Sequence, residues 1–201
     1  MDDRVERGMR RQLASAPPDA IGWKLALNAP PLMKRLGLEE PALGRLSAAR
    51  VAVGTHSLAS SAQPAVEPEL VLEAGEGAAV ARIGVALEVV DFDRGLDNVE
   101  EVIATNVFHR AVAFGSLVAP VAPGDAVFSL TGSEPARVST GDAPLSTLRW
   151  VDGFLGRLGR GLAPGELVIA GALAPPAPVS AGDVAELVVA GVGSVRLEFT
   201  A

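Results

Sequence analysis

The stretch AVEPELVLEAG, residues 65–75, decides how this chain is read. Glu67 and Glu69 are two apart, and an extended strand turns alternate side chains to one face. Val66, Leu70 and Leu72 then share the opposite, apolar face. Two carboxylates this close raise each other's pKa unless water or a cation compensates. After a turn at GEGAA, the run VARIGVALEVV, residues 80–90, predicts a second strand carrying Glu88. Val85, Leu87, Val89 and Val90 crowd that glutamate, and a lone buried carboxylate is costly unless it is paired or bound to metal. Three carboxylates from two strands form an all-oxygen set suited to Mg²⁺ or a similar hard cation. A solvated strand face is the plainer alternative for Glu67 and Glu69. Pro68 inside the first strand argues for a sheet edge or a bulge.

Working outward, residues 3–14 predict a short helix with Val5, Met9 and Leu13 on one stripe, ended by Pro17 and Pro18. IGWKLAL, residues 21–27, predicts a strand. Asn28 is placed to cap a following helix that has Pro30 or Pro31 in its first turn and Gly37 as its stop. Residues 54–64 are small and polar and read as a surface loop. Asp97 with Glu100 resembles a capping box for a helix through about Ala104. RAVAFG and DAVFSL are strand candidates. PLSTLRWVDGFLGRLG is the clearest helix, with Leu145, Leu148, Val151, Leu155 and Leu158 at helical spacing. ELVIAGAL, DVAELVVAG and SVRLEF predict three more strands, the last two as a hairpin. The result is an α+β chain that is mostly β, with a helical segment over 1–20 and one domain over 21–201.

Composition narrows the function. At 201 residues and 49% hydrophobic the chain supports a substantial core. It has no cysteine, which removes disulfides, zinc–thiolate sites and thiol catalysis. Net charge is −7, and only Arg7, Arg10 and Arg11 cluster, so a nucleic-acid partner is not expected. No apolar run reads as a membrane span or a secretory signal, and the cytoplasm is the expected location. Fifteen arginines stand against two lysines, Lys24 and Lys34. A lysine kept inside IGWKLAL draws attention, because lysine can take part in proton transfer and arginine cannot. A lysine snorkelling to solvent is the alternative.

Several segments, taken in order, resemble the fumarylacetoacetate hydrolase superfamily in its 2-keto-4-pentenoate hydratase (hydratase/decarboxylase) branch. They are GWKLALNAPPLMKRLGLEEPALGRL (22–46), VEPEL, VALEVVD, RWVDGFLGRLGRGLAPGE (149–166) and the tail LVIAGALAPPAPVSAGDVAELVVAGVGSVRLEF (167–199). The resemblance implies a mixed β-roll with a few short helices and a bound Mg²⁺ (or Mn²⁺). It also implies a homodimer or larger homo-oligomer. Its substrates would be small 2-oxo or 2-hydroxydienoate acids from aromatic catabolism. Carried over residue by residue, it makes Glu67, Glu69 and Glu88 metal ligands and Lys24 the catalytic lysine. The implied reaction is hydration of a 2-hydroxypenta-2,4-dienoate. Decarboxylation, carbon–carbon hydrolysis and a non-catalytic partner-subunit role are the alternatives.

The departures from the family touch substrate-facing parts more than metal-facing parts. Asn28 and Ala29 stand where many relatives have a Thr-Ser pair, and Ala42 replaces a common acidic residue. The stretch between Glu69 and Glu88 is compressed. ATNVFHRAVAFG, residues 104–115, replaces a small-residue run and brings in His109 and Arg110. These two are candidates for binding a substrate carboxylate, since arginine pairs with carboxylates through two parallel hydrogen bonds. A structural pair or a subunit contact is the competing reading. His56, in the loop segment, reads as a surface histidine.

Overall fold

The hairpin built around Glu67 is the spine of the larger of two sheets. The computed structural model describes residues 2–15, 18–141 and 144–201, apart from the side chains of 144 and 145. Pro17 and the side chain of Leu145 therefore lie outside the described residues. The helices are α1 (Asp3–Ala14), α2 (Pro30–Leu36), α3 (Val99–Ala104) and α4 (Pro144–Arg157). The strands of the larger sheet are β1 (Ala20–Ala26), β2 (Ala42–Ser47), β4 (Pro64–Ala74), β5 (Val80–Asp91), β6 (His109–Phe114), β9 (Leu167–Ala172) and β10 (Ala177–Pro178). Their order is β2-β1-β9-β4-β5-β6, with β10 pairing beside β4. The smaller sheet has the order β3-β12-β11-β7-β8, from β3 (Thr55–Ser57), β7 (Ala126–Leu130), β8 (Ala136–Val138), β11 (Val184–Val189) and β12 (Gly193–Thr200). Among the described strands β1–β9 and β3–β12 pair in parallel, and an isolated parallel bridge joins Val51 to Val112 of β6. The fold is the mixed, mostly β, α+β architecture that the sequence predicts.

Alternation along β4 and β5 sorts side chains between two cores. Val66, Leu70, Leu72, Val85, Leu87 and Val89 enter the main core, which also takes Leu187, Leu197 and Phe199 from the smaller sheet. The other face carries a small apolar cluster of Leu46, Val71, Ala86, Val112 and Ile169. The glutamates lie on this second face, so their surroundings are drier than those of an ordinary solvated strand. Helix α1 closes one end. Asp2 caps it, and Val5 and Met9 are buried. A Cβ at Gly8 would come within 2.8 Å of Ile103 Cβ, so this glycine permits the close approach of α1 to α3. Gln12 Nε2 ties α1 to the carbonyls of Ile103 (2.7 Å) and Leu43 (3.2 Å). Among the described residues no helix is long and apolar enough to cross a membrane.

Local corrections have local causes. β4 is not an edge strand, because β5 lies on one side and β9 and β10 on the other. Pro68 is tolerated because its N–H-less side faces the break between β9 and β10, where its carbonyl accepts Leu173 N–H at 2.8 Å. Ala29, not Asn28, is the N-cap of α2, leaving the Asn28 side chain to the site described below. Asn98, not Asp97, caps α3 and accepts Glu101 N–H at 3.1 Å, which moves the expected cap by one residue. Within the expected loop 54–64, Thr55–Ser57 forms β3, held by pairing with β12 rather than by its own propensity.

Candidate metal centre

The β4–β5 register places Glu67 directly opposite Glu88 and Glu69 opposite Ala86. Directly opposed residues share a face, so all three carboxylates project together. Each offers an oxygen that lies within 4.8 Å of the others. Glu69 and Glu88 are buried and Glu67 is partly buried. Glu69 Oε2 accepts the backbone N–H of Gly171 at 2.8 Å, from β9.

Lys24 reaches the same point from β1. Its Nζ is ion-paired with Glu88 Oε1 and donates to the Val107 carbonyl at 3.0 Å, and the side chain is buried. His109, at the start of β6, brings Nδ1 to 2.8 Å from the same Glu88 Oε1. A carboxylate only accepts, so Nδ1 carries the proton. Burial lowers the His109 pKa against the raising effect of Glu88, which keeps the ring neutral. Both partners use Oε1, and Glu88 Oε2 is buried with no partner among the described residues.

The polypeptide makes an unusual turn to deliver these groups. Asn106, Val107 and Phe108 all have positive φ (71°, 46° and 64°). L-residues in this region cost roughly 1–2 kcal/mol each, and β-branched valine is disfavoured most. The turn persists because it is pinned. Asn106 Oδ1 accepts Arg45 N–H at 2.6 Å and its Nδ2 donates to Arg45 O at 3.0 Å. Val107 N–H bonds the Val102 carbonyl, and Phe108 O accepts Asp91 N–H. The turn aims the Val107 carbonyl at Lys24 and sets His109 beside Glu88. TNVFHR lacks glycine, and within it Asn106 alone of the three turn residues is of a type that favours this region.

Arg110 points elsewhere. Its guanidinium lies 2.7 Å from Asp93 and 3.4 Å from Asp91, and it does not line the cavity over the triad. His109 touches Glu88 rather than the cavity wall. His56 lies in β3 opposite Phe199. Asn28, which the sequence assigned to a helix cap, lines the cavity beside Gly171. A Cβ at Gly171 would come within 2.3 Å of Asn28 Nδ2.

The three acids are electrostatically unequal. Burial, then the Glu88 charge, pushes Glu67 up to about 7. Burial, then Glu88 and Glu67, pushes Glu69 well above the usual carboxylate range. Burial would raise Glu88 too, but Lys24 and His109 together hold it below its ordinary value. Fully ionised, three carboxylates and one ammonium leave two negative charges, which one divalent cation cancels. The all-oxygen donor set and the orphaned Glu88 Oε2 fit such an ion.

This inequality predicts a pH effect on the metal-free protein. Glu67 titrates at about 7 when folded, against an ordinary 4.5. Between those values the folded chain keeps a proton that the unfolded chain has released, so stability falls as pH rises through that window. Glu69 acts in the same direction, whereas the depressed Glu88 acts below it. Below about pH 6.5 the lowered His109 acts in the opposite direction, so the decline is read above it: in chelator, the thermal midpoint is expected to fall from about pH 6.5 to about pH 8, with Mn²⁺ reversing the decline by mass action. A midpoint that rises across this range in chelator contradicts the assigned shifts.

No protein-family model matches the chain. It is 31% identical over 205 residues to a 2-keto-4-pentenoate hydratase of Paraburkholderia xenovorans (strain LB400), covering 89% of this chain and 76% of that protein. The fold is similar to 4-oxalocrotonate decarboxylase from Pseudomonas putida G7, solved with magnesium and adipate. That match has a TM-score of 0.79 and 21% identity, and covers 94% of this chain and 81% of that one. It is also similar to fumarylpyruvate hydrolase from Pseudomonas aeruginosa, solved with Mn²⁺ and pyruvate. Here the TM-score is 0.67 and the identity 16%, with coverage of 89% and 88%. At 31% identity over 89% of its length to that hydratase, the chain belongs to the fumarylacetoacetate hydrolase superfamily, in its 2-keto-4-pentenoate hydratase branch.

Proposed function

We propose that this chain is a divalent-metal-dependent lyase that adds water to a 2-hydroxypenta-2,4-dienoate or 2-keto-4-pentenoate-type acid. The observation that carries the reading is the Glu67–Glu69–Glu88 triad with Lys24 buried against it at the floor of a cavity of about 590 Å³. Its likeness to a hydratase over 89% of the chain sets the reaction class. Glu67, Glu69 and Glu88 would hold Mg²⁺ or Mn²⁺. Bound there, the ion would neutralise negative charge developing on the substrate's 2-oxo and carboxylate oxygens.

The chain's own groups divide the remaining work. An ammonium has three donors, and two of those on Lys24 are engaged by Glu88 and Val107. The third is available to the cavity, where it can give a proton to the substrate and take it back. The His109 Nδ1–H fixes the Glu88 carboxylate through Oε1 and leaves Oε2 without a protein partner. Phe92, Phe108 and Leu173 give the cavity apolar walls beside the polar groups.

The test is purified protein with Mg²⁺ or Mn²⁺ and a freshly generated dienol. Metal-dependent loss of the dienol's ultraviolet absorbance, with the hydrated 2-oxo acid as product, is expected. Release of carbon dioxide would reassign the chain as a decarboxylase, and an inert protein would favour a partner-subunit role. We also propose a homo-oligomer, for which the exposed Val188 of the C-terminal hairpin and the 86%-exposed Val53 are the supporting observations. A stable monomer in micromolar sedimentation runs would contradict assembly.

A further inference from the structure

We propose that the acid accepted at this site carries a bulky, uncharged, apolar tail, and that Phe92, Leu96 and Phe108 set how long that tail can be. This rests on the reading of the site as one for 2-oxo acids. The cavity lining is divided by chemistry: Glu67, Glu69, Glu88, Lys24 and Asn28 supply its polar groups, and Leu32, Val90, Phe92, Leu96, Phe108 and Leu173 are among its apolar ones. Its volume of about 590 Å³ is several times that of a five-carbon acid and lies in the range that houses much larger ligands.

Charge excludes a second carboxylate. Among the described residues lining the cavity, Lys24 is the sole cation, and Glu88 already holds it. A distal carboxylate would be desolvated against leucine and phenylalanine with no partner, which is strongly unfavourable. An alkyl or aryl terminus would instead gain by leaving water.

Arginines do stand nearby, but behind a wall. Arg4, Arg35 and Arg94 line a separate outer cavity of about 910 Å³. Phe92, Leu96 and Phe108 line both cavities and so form the partition between them. The Phe92 and Phe108 rings pack at 5.1 Å between centroids. Arg4 is bound to Asp2 and to the Leu36 and Gly37 carbonyls, and Arg94 to Asp93. The pinned turn at Asn106–Phe108 fixes one half of the wall.

Calorimetry on the Mn²⁺-loaded full chain tests this with three stable acids: 2-oxopentanoate, 2-oxo-6-phenylhexanoate and 2-oxoheptanedioate. The phenyl acid is expected to bind at least about tenfold more tightly than 2-oxopentanoate, because its ring leaves water. The dicarboxylate is expected to bind at least about tenfold more weakly than the phenyl acid, because its second charge is left unpaired. A short acid or a dicarboxylate that equals the phenyl acid overturns the proposal while leaving the 2-oxo acid reading intact. If Mn²⁺ binds and none of the three acids does, that reading fails and the proposal with it. Phe92→Ala should admit 2-oxo-10-phenyldecanoate, which the unaltered chain rejects. Leu96→Ala serves if Phe92→Ala does not fold. Continued rejection by a folded variant overturns the length limit.

Discussion

Glu67→Gln is expected to weaken Mn²⁺ binding by about 100-fold or more, because it removes one anionic ligand from a three-carboxylate set. The metal-free fold should scarcely change. At about pH 6, below the value of about 7 to which burial and Glu88 raise it, the Glu67 carboxyl is largely protonated, and a neutral acid and an amide have the same shape. Glu88→Gln should weaken binding as much but also destabilise the metal-free protein, because it strands Lys24 without its buried partner. Calorimetry and thermal melts in chelator separate the two effects. Unchanged Mn²⁺ affinity in both variants would remove the triad as the metal centre. A large loss of metal-free stability in Glu67→Gln would contradict its protonated state.

Lys24 carries the second large effect. Lys24→Met should reduce turnover by on the order of 10²–10⁴-fold, the usual worth of a positioned proton donor. It also leaves Glu88 as a buried charge with only neutral His109 beside it. Removing one partner of a buried pair costs roughly 3–5 kcal/mol, so the metal-free midpoint should fall by about 10 °C. Bound metal should recover part of that loss by taking over the negative charge. Lys24→Arg separates charge from proton transfer. It restores a cation beside Glu88 but cannot release a proton, so stability should return and turnover should not. Turnover close to the unaltered enzyme in Lys24→Arg would show that only the charge matters.

These predictions join features that were unequally visible in the sequence. The two-residue spacing of Glu67 and Glu69 and the apolar crowding of Glu88 are local, and they reveal strands and acids directly. That Glu88 stands opposite Glu67 depends on register, which the hairpin sets only once the length of the turn at Gly75–Ala79 is fixed. The convergence of Lys24 is less legible still, because it crosses the parallel β1–β9 pairing between segments far apart in the chain.

The turn at Asn106–Phe108 was invisible for a different reason. Its left-handed backbone opposes the propensities of valine and phenylalanine and is sustained by tertiary contacts such as the Asn106 clamp on Arg45. The same turn separates the two residues expected to meet substrate. His109 goes to Glu88, and Arg110 goes to the carboxylates of Asp91 and Asp93. The short strand at Thr55–Ser57 likewise owes its form to β12, so composition alone read it as a loop.

We propose that Glu67, Glu69 and Glu88 together form one divalent-cation site. The most direct test is an anomalous difference map from a crystal of the protein grown with Mn²⁺. One strong peak per chain is expected, bounded by the carboxylates of these three residues. A map with no peak there, or with its main peak elsewhere while the three carboxylates hold nothing, would contradict it.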